Sequence, residues 1–176
     1  MKQILGFDSF NKVETIMEKK LVHPIIYVDL DGTLCDFETA AVKVLGPDFK
    51  HHQKDQTAFW KQLAPPHIKN FFGTLDWMPG AKDVWERIKP FKPTVLTATE
   101  NAWAVPQKKQ WVADHLGKNV HVIITRSTEK SKHSGHNKIL IDDRSDIIYR
   151  WKKAGGIGIH YTHADKVLEK LNAILP

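Results

Sequence analysis

Short apolar runs alternate with amphipathic stretches along most of the chain. The runs are Ile25–Val28, Thr94–Leu96, Val120–Ile124, Ile139–Ile141 and Gly156–Ile159. Each is continuous rather than alternating, the pattern of a strand buried on both faces of a parallel sheet. Between them lie helical patterns. Val84, Trp85 and Ile88 share a face of Ala81–Ile88, and Trp111, Val112 and Leu116 share one of Val105–Leu116. Ile147, Ile148 and Trp151 do so in Ser145–Ala154, and Ala164–Leu175 closes the series. Strands alternating with helices of about ten residues predict βαβ crossovers, and so an α/β fold: a Rossmann-like parallel sheet with helices on both faces.

Two stretches break the rhythm. Residues 37–78 are polar, punctuated by Pro47 and Pro65-Pro66, and carry Phe59-Trp60, Phe71-Phe72 and Trp77. They are too long for a simple strand-to-helix connection, and are expected to form a small, mostly helical cap inserted after the first strand. Residues 1–24 place Ile4, Leu5, Phe7, Phe10, Val13, Ile16, Met17 and Leu21 at helical spacing. The expectation is an N-terminal helical extension on the outside of the domain, with a targeting or partner-binding arm as the alternative. The core is then 25–36 and 79–176, interrupted by the cap.

Composition adds limits. With 176 residues, 41% hydrophobic and 26% charged, the chain is an ordinary globular sequence and not a disordered one. No apolar run approaches the roughly 18 residues that would span a bilayer, so no membrane partner is expected. The first twenty residues carry acids and lack an apolar segment, unlike a secretory signal. A single cysteine, Cys35, makes no internal disulfide, and a reducing, cytoplasmic setting is the expectation. The formal charge of +6 points to an anionic partner without saying which kind.

Placement of the acids is more specific. Ligands of an open parallel sheet bind outside the carboxyl ends of its strands. The first strand ends in Asp29-x-Asp31-Gly32-Thr33, the second in Thr97-Ala98-Thr99, and the fourth in Asp142-Asp143. Lys130 and Lys132 lie in the loop before that fourth strand. An Asp-Gly pair alone is often only a turn, and Asp142-Asp143 alone reads as a helix cap. Together they bring four acids to one edge, where mutual repulsion calls for a cation. Hard oxygen ligands point to Mg²⁺, and a nearby lysine to a further anion such as phosphate.

YVDLDGTLCD, LTAT, a loop lysine and ILIDD resemble the four ordered motifs of the haloacid dehalogenase-like phosphohydrolases, over roughly residues 25–160. Within that superfamily the chain is most similar to the 5′(3′)-deoxyribonucleotidases, on DGTLCDF at 31–37, Phe59-Trp60, NFFGTLDWMPGA at 70–81, KKQWVADHLG at 108–117 and IITR…ILIDDR at 123–144. The resemblance implies that Asp29 attacks phosphorus and that Asp31 acts as acid and then base. It implies that Asp29, the Asp31 carbonyl and Asp142 hold Mg²⁺, with Asp143 bound through water or orienting the others. Thr97 is implied to contact phosphate. Ala98 stands where the family usually has Ser, so one hydroxyl is missing or comes from Thr99. Counting back from the acidic pair favours Lys132 as the phosphate-binding lysine, with Lys130 as runner-up. Phe37, Phe59 and Trp60 match the base-stacking positions, cap packing being the alternative for Phe59-Trp60, and Arg144 either reaches the substrate or caps locally.

The activity implied is a phosphomonoesterase acting on nucleoside monophosphates, weakly favouring pyrimidine deoxynucleotides. The rivals are a phosphatase of nucleic-acid ends and a non-catalytic nucleotide-binding module on the same fold. Nucleic acid as a partner and a homodimer both stay open. His51-His52 and His133-x-x-His136 lack the cysteine set of a structural zinc site. Cys35 is expected to pack rather than react, and Lys108-Lys109, Lys152-Lys153 and Lys166 to form solvated faces.

Overall fold

The computed structural model describes residues 20–48 and 55–176. Most of the expected N-terminal extension, together with His51 and His52, lies outside the described residues.

The sheet has five parallel strands: β1 (Ile25–Val28), β2 (Thr94–Ala98), β3 (Val122–Thr125), β4 (Lys138–Asp142) and β5 (Ile157–His160). Their spatial order is β3-β2-β1-β4-β5, all neighbours parallel. The chain therefore moves outward one way from β1, returns, and moves outward the other way. That reversal beside β1 is where an open sheet leaves a crevice at its carboxyl edge.

Side chains alternate across the strands with a period of two. Ile26, Val28, Val95, Ile139, Ile141 and Ile159 enter the larger core. It is closed by α3 (Ala81–Ile88), α4 (Ala104–His115) and α6 (Ala164–Ile174), through Val84, Trp85, Ile88, Trp111, Val167 and Leu171. Leu96 and Leu140 face the other way, against Ile147, Ile148 and Trp151 of α5 (Ser145–Lys153). The three helix tryptophans are thus core residues.

The insertion begins with α1 (Phe37–Leu45) and α2 (Gln56–Leu63), each started by an aspartate. Asp36 accepts from the Thr39 amide and Asp55 from the Ala58 amide, both at 3.0 Å. Such side-chain caps satisfy amides that a helix leaves unpaired. A 3₁₀ turn at Phe72–Thr74 follows. The segments entering and leaving the insertion run side by side: the Asp36 amide donates to Asp76 O (2.9 Å) and the Met78 amide to Leu34 O (2.8 Å). The insertion stands on this narrow stalk, rooted directly in the Asp29–Cys35 loop.

Candidate active site

Register puts the acids together. Val28 lies opposite Ile141, so the next residues, Asp29 and Asp142, fall side by side at the sheet edge. The Asp29 amide donates to Ile141 O (2.9 Å), which pins the start of the loop to β4. Gly32 takes a left-handed φ of +72°, and a β-carbon there would come within 2.5 Å of Asp143 Oδ2. Only glycine gives both the turn and this close approach.

One carboxylate oxygen from each of Asp29, Asp142 and Asp143 lies within 4.8 Å of the other two. Asp29 Oδ1 lies 2.8 Å from the Lys130 ammonium, yet neither it nor Asp31 Oδ1 accepts an aligned hydrogen bond, although both are buried. A converging set of hard oxygens with underused lone pairs fits a divalent cation such as Mg²⁺. Burial pushes Asp142 up to about 6 and Asp143 up to about 7, and the Asp29 carboxylate adds to both. Burial also raises Asp31 above the ordinary carboxylate value, against the pull of the Lys108 ammonium.

The expected order of the two loop lysines is reversed. Lys130 is 1% exposed and bridges Asp29 Oδ1 (2.8 Å) and Asp142 Oδ2 (2.7 Å). Burial opposes its charge, but Asp29 and Asp142 outweigh burial and hold it above its ordinary value. Lys132 is 70% exposed and pairs with Glu129 at 2.5 Å. The cause is a 3₁₀ segment, Ser127–His133. At three residues per turn, positions two apart point to different sides, so Lys130 turns to the carboxylates and Lys132, favoured by counting along an extended loop, turns to solvent.

Lys108 is a second correction. Far from solvated, it is 1% exposed, and its ammonium pairs with Asp31 Oδ2. A signal was present: Ala104, Lys108, Trp111 and Val112 form one helical stripe, and all four are buried. A lysine within an apolar stripe needs a buried partner.

Thr97 is wholly buried, and its hydroxyl accepts from Lys108 at 3.2 Å. Ala98 lines the cavity beside it. The Thr99 hydroxyl, the candidate replacement for the missing serine, accepts from the Asn101 amide at 3.1 Å within its own turn. The Arg144 amide donates to Asp142 Oδ1 (2.9 Å), while its guanidinium pairs with Asp146 at 3.1 Å. Cys35 is buried and burial pushes its thiol upward, which suits packing rather than nucleophilic chemistry.

Above the acids lies a cavity of about 340 Å³, at the smaller end of small-molecule sites. Phe37, Phe59, Trp60 and Arg144 contribute to its walls, and Asp29 and Asp31 to its floor. Phe59 is 1% exposed and packs edge-on to Trp60, ring centroids 4.8 Å apart. Phe37 and Trp60 are half-buried, 6.0 Å apart, and present more free surface to the cavity. Phe71 and Phe72 complete the aromatic cluster from below.

Among the described residues, no helix is long and apolar enough to cross a membrane. Residues 23–172 match the family described as 5′ nucleotidase, deoxy (Pyrimidine), cytosolic type C protein. The "Putative 5′(3′)-deoxyribonucleotidase" of Vibrio phage KVP40 is 26% identical over 143 residues, which cover 72% of this chain and 70% of that protein. Two solved structures share the fold. A hydrolase from Streptococcus pneumoniae TIGR4 superposes with a TM-score of 0.53 at 18% identity, over 86% of this chain and 100% of that one. The "putative HAD-hydrolase YfnB" from Bacillus subtilis, in a magnesium-bound form, gives 0.57 at 12% identity, over 85% and 98%. With most of its length inside the family match, and a carboxylate–lysine cluster at the sheet edge, the chain belongs to the deoxy (pyrimidine), cytosolic type C family of 5′ nucleotidases and is a phosphoric monoester hydrolase.

Proposed function

We propose that the chain is a Mg²⁺-dependent phosphatase of deoxynucleoside monophosphates that works through an aspartyl-phosphate at Asp29. The observation carrying this reading is the juxtaposition of Asp29, Asp142 and Asp143 beneath a cavity walled by Phe37 and Trp60. Asp29, Asp142, Asp143 and the Asp31 carbonyl are the ligands proposed for the ion. When bound, Mg²⁺ supplies charge neutralisation that lets an anionic phosphate approach an anionic nucleophile.

The protein's own groups do the rest. An Asp29 oxygen forms a bond to phosphorus as the bond to the ester oxygen breaks. Asp31 gives its proton to that leaving oxygen, and the nucleoside departs as an alcohol. Asp31, now a carboxylate, takes a proton from water, whose oxygen attacks phosphorus and releases Asp29 and inorganic phosphate. Lys130 offsets charge on Asp29 throughout, and it is the lysine proposed to face the phosphoryl group. Phe37 and Trp60 offer the faces against which a base stacks, as in other nucleotide sites. A cytoplasmic setting suits a nucleotide substrate and a single buried cysteine.

The test is a phosphate-release screen with Mg²⁺ or EDTA, over 5′- and 3′-mononucleotides, deoxy and ribo, phosphorylated oligonucleotides and sugar phosphates. Release from deoxynucleoside monophosphates, abolished by EDTA and by Asp29→Asn in a folded protein, is the expected result. Release from oligonucleotide ends alone would overturn the substrate assignment.

A further inference from the structure

Among the described residues, Lys108 and Lys130 are the two buried cations, and the chemistry above uses only Lys130. Lys108 projects from α4 beneath the cap. Its ammonium pairs with Asp31 Oδ2 and lies 3.2 Å from Thr97 Oγ1 and 3.3 Å from Ala98 O. Three acceptors match the three N–H donors of a lysine. The ring of Phe72 covers the group, 4.5 Å from Nζ to centroid. No donor is left over for a phosphoryl oxygen.

The same helix also grips the cap. Gln107, the residue before, accepts from the Phe72 amide at 3.0 Å and donates to Lys69 O at 3.2 Å. Trp111, one turn on, donates to Leu75 O at 2.8 Å. One face of α4 therefore fixes both the roof over the ammonium and the ammonium itself.

We propose that Lys108 is a positioning residue that holds the Asp31 carboxyl in line with the leaving oxygen, and that Phe72 makes this hold depend on a seated cap. The inference rests on the phosphatase reading, in which Asp31 protonates the leaving group. It concerns orientation: a displaced acid fails to deliver its proton even when the phosphate is bound and attacked normally.

Leaving-group dependence separates this role from binding and from general damage. An alkoxide needs its proton to depart, whereas p-nitrophenolate leaves without one. Steady-state kinetics of wild type, Lys108→Met and Phe72→Leu would use three esters: dUMP, glycerol 3-phosphate and p-nitrophenyl phosphate. For Lys108→Met, kcat/KM on the two alkyl esters, which is set by the steps up to departure of the leaving group, is expected to fall about 100-fold, in the range of a general-acid contribution. On p-nitrophenyl phosphate the fall in kcat/KM is expected to stay within about 3-fold; kcat itself also contains the second step, in which Asp31 activates water for every ester. Phe72→Leu keeps the ion pair and should show the same selectivity at smaller amplitude, so it decides the matter if Lys108→Met does not fold. Equal losses of kcat/KM on all three esters would overturn the inference. A wild type that cleaves glycerol 3-phosphate but no nucleotide defeats the substrate reading and leaves this one standing. A wild type inert towards all three esters defeats both.

Discussion

Gly32 and Asp143 touch across the carboxyl edge of the sheet: a β-carbon on Gly32 would sit 2.5 Å from Asp143 Oδ2 and 2.8 Å from its carboxyl carbon. The loop that carries Asp29 and Asp31 is thereby packed directly onto the acidic pair after β4. Gly32→Ala meets two obstacles, a left-handed φ and a fixed carboxylate. The backbone conformation alone costs about 1–2 kcal/mol for a non-glycine residue. The expected outcome is a lower melting temperature and a loss of turnover that exceeds the loss of fold, seen by comparing thermal melts with phosphate release. An active, equally stable Gly32→Ala protein would contradict the described contact.

Lys130 and Lys132 should behave as opposites. Lys130→Met leaves Asp29 and Asp142 without their shared cation, and turnover is expected to fall by about 100- to 1,000-fold. Lys132→Met removes only an exposed pair with Glu129 and should change kcat less than about 2-fold. Parallel kcat measurements decide between them, and the reverse ranking would restore Lys132 to the site.

The raised acids give the metal-free protein a particular pH response. Asp142 at about 6 and Asp143 at about 7 retain protons in the folded state that the unfolded chain releases near pH 4. The folded state thus binds more protons between pH 4 and 7, and these groups make stability decline as pH rises through that window. Mg²⁺ competes with those same protons, so its stabilising effect should be larger at pH 8 than at pH 5. Melts in EDTA and in Mg²⁺ across this range read both effects. A Mg²⁺ shift that shrinks as pH rises would refute the ligand set.

Trp60 should govern the nucleoside and leave the phosphate alone. Trp60→Ala is expected to raise KM for dUMP about 10-fold, from a stacking loss of about 1–3 kcal/mol, with little effect on p-nitrophenyl phosphate. Phe59→Ala, by contrast, empties a buried position and should lower stability by about 3–5 kcal/mol. Equal sensitivity of both substrates to Trp60→Ala would place the base elsewhere.

The five strands were legible because strands covered by helices on both faces of a sheet read as unbroken apolar runs, even at β3, where every residue is half-buried. Asp29 and Asp142 followed from them, since each acid ends such a run and the sheet aligns the ends. The two lysines were harder. Lys130 depends on the winding of a 3₁₀ segment that polar sequence does not announce. Lys108 sits in a Lys-Lys pair of which one member is buried and the other exposed, and only the helical stripe through Ala104 and Trp111 separates them. Aromatic residues in the cap were visible as a group. Whether each lines the cavity or fills the core depends on ring orientation, as the contrast of Phe59 with Trp60 shows.

The stalk beneath the insertion bears on how its length can vary. Because Leu34–Asp36 and Asp76–Met78 are already paired at their base, the ends of the insert are brought together by the core and not by the insert. Closing a longer or shorter excursion between fixed ends costs little, since loop entropy grows only logarithmically with length. The length of the insert is therefore uncoupled from the geometry beneath it: residues can be added or removed above the stalk without disturbing the spacing of the acids below.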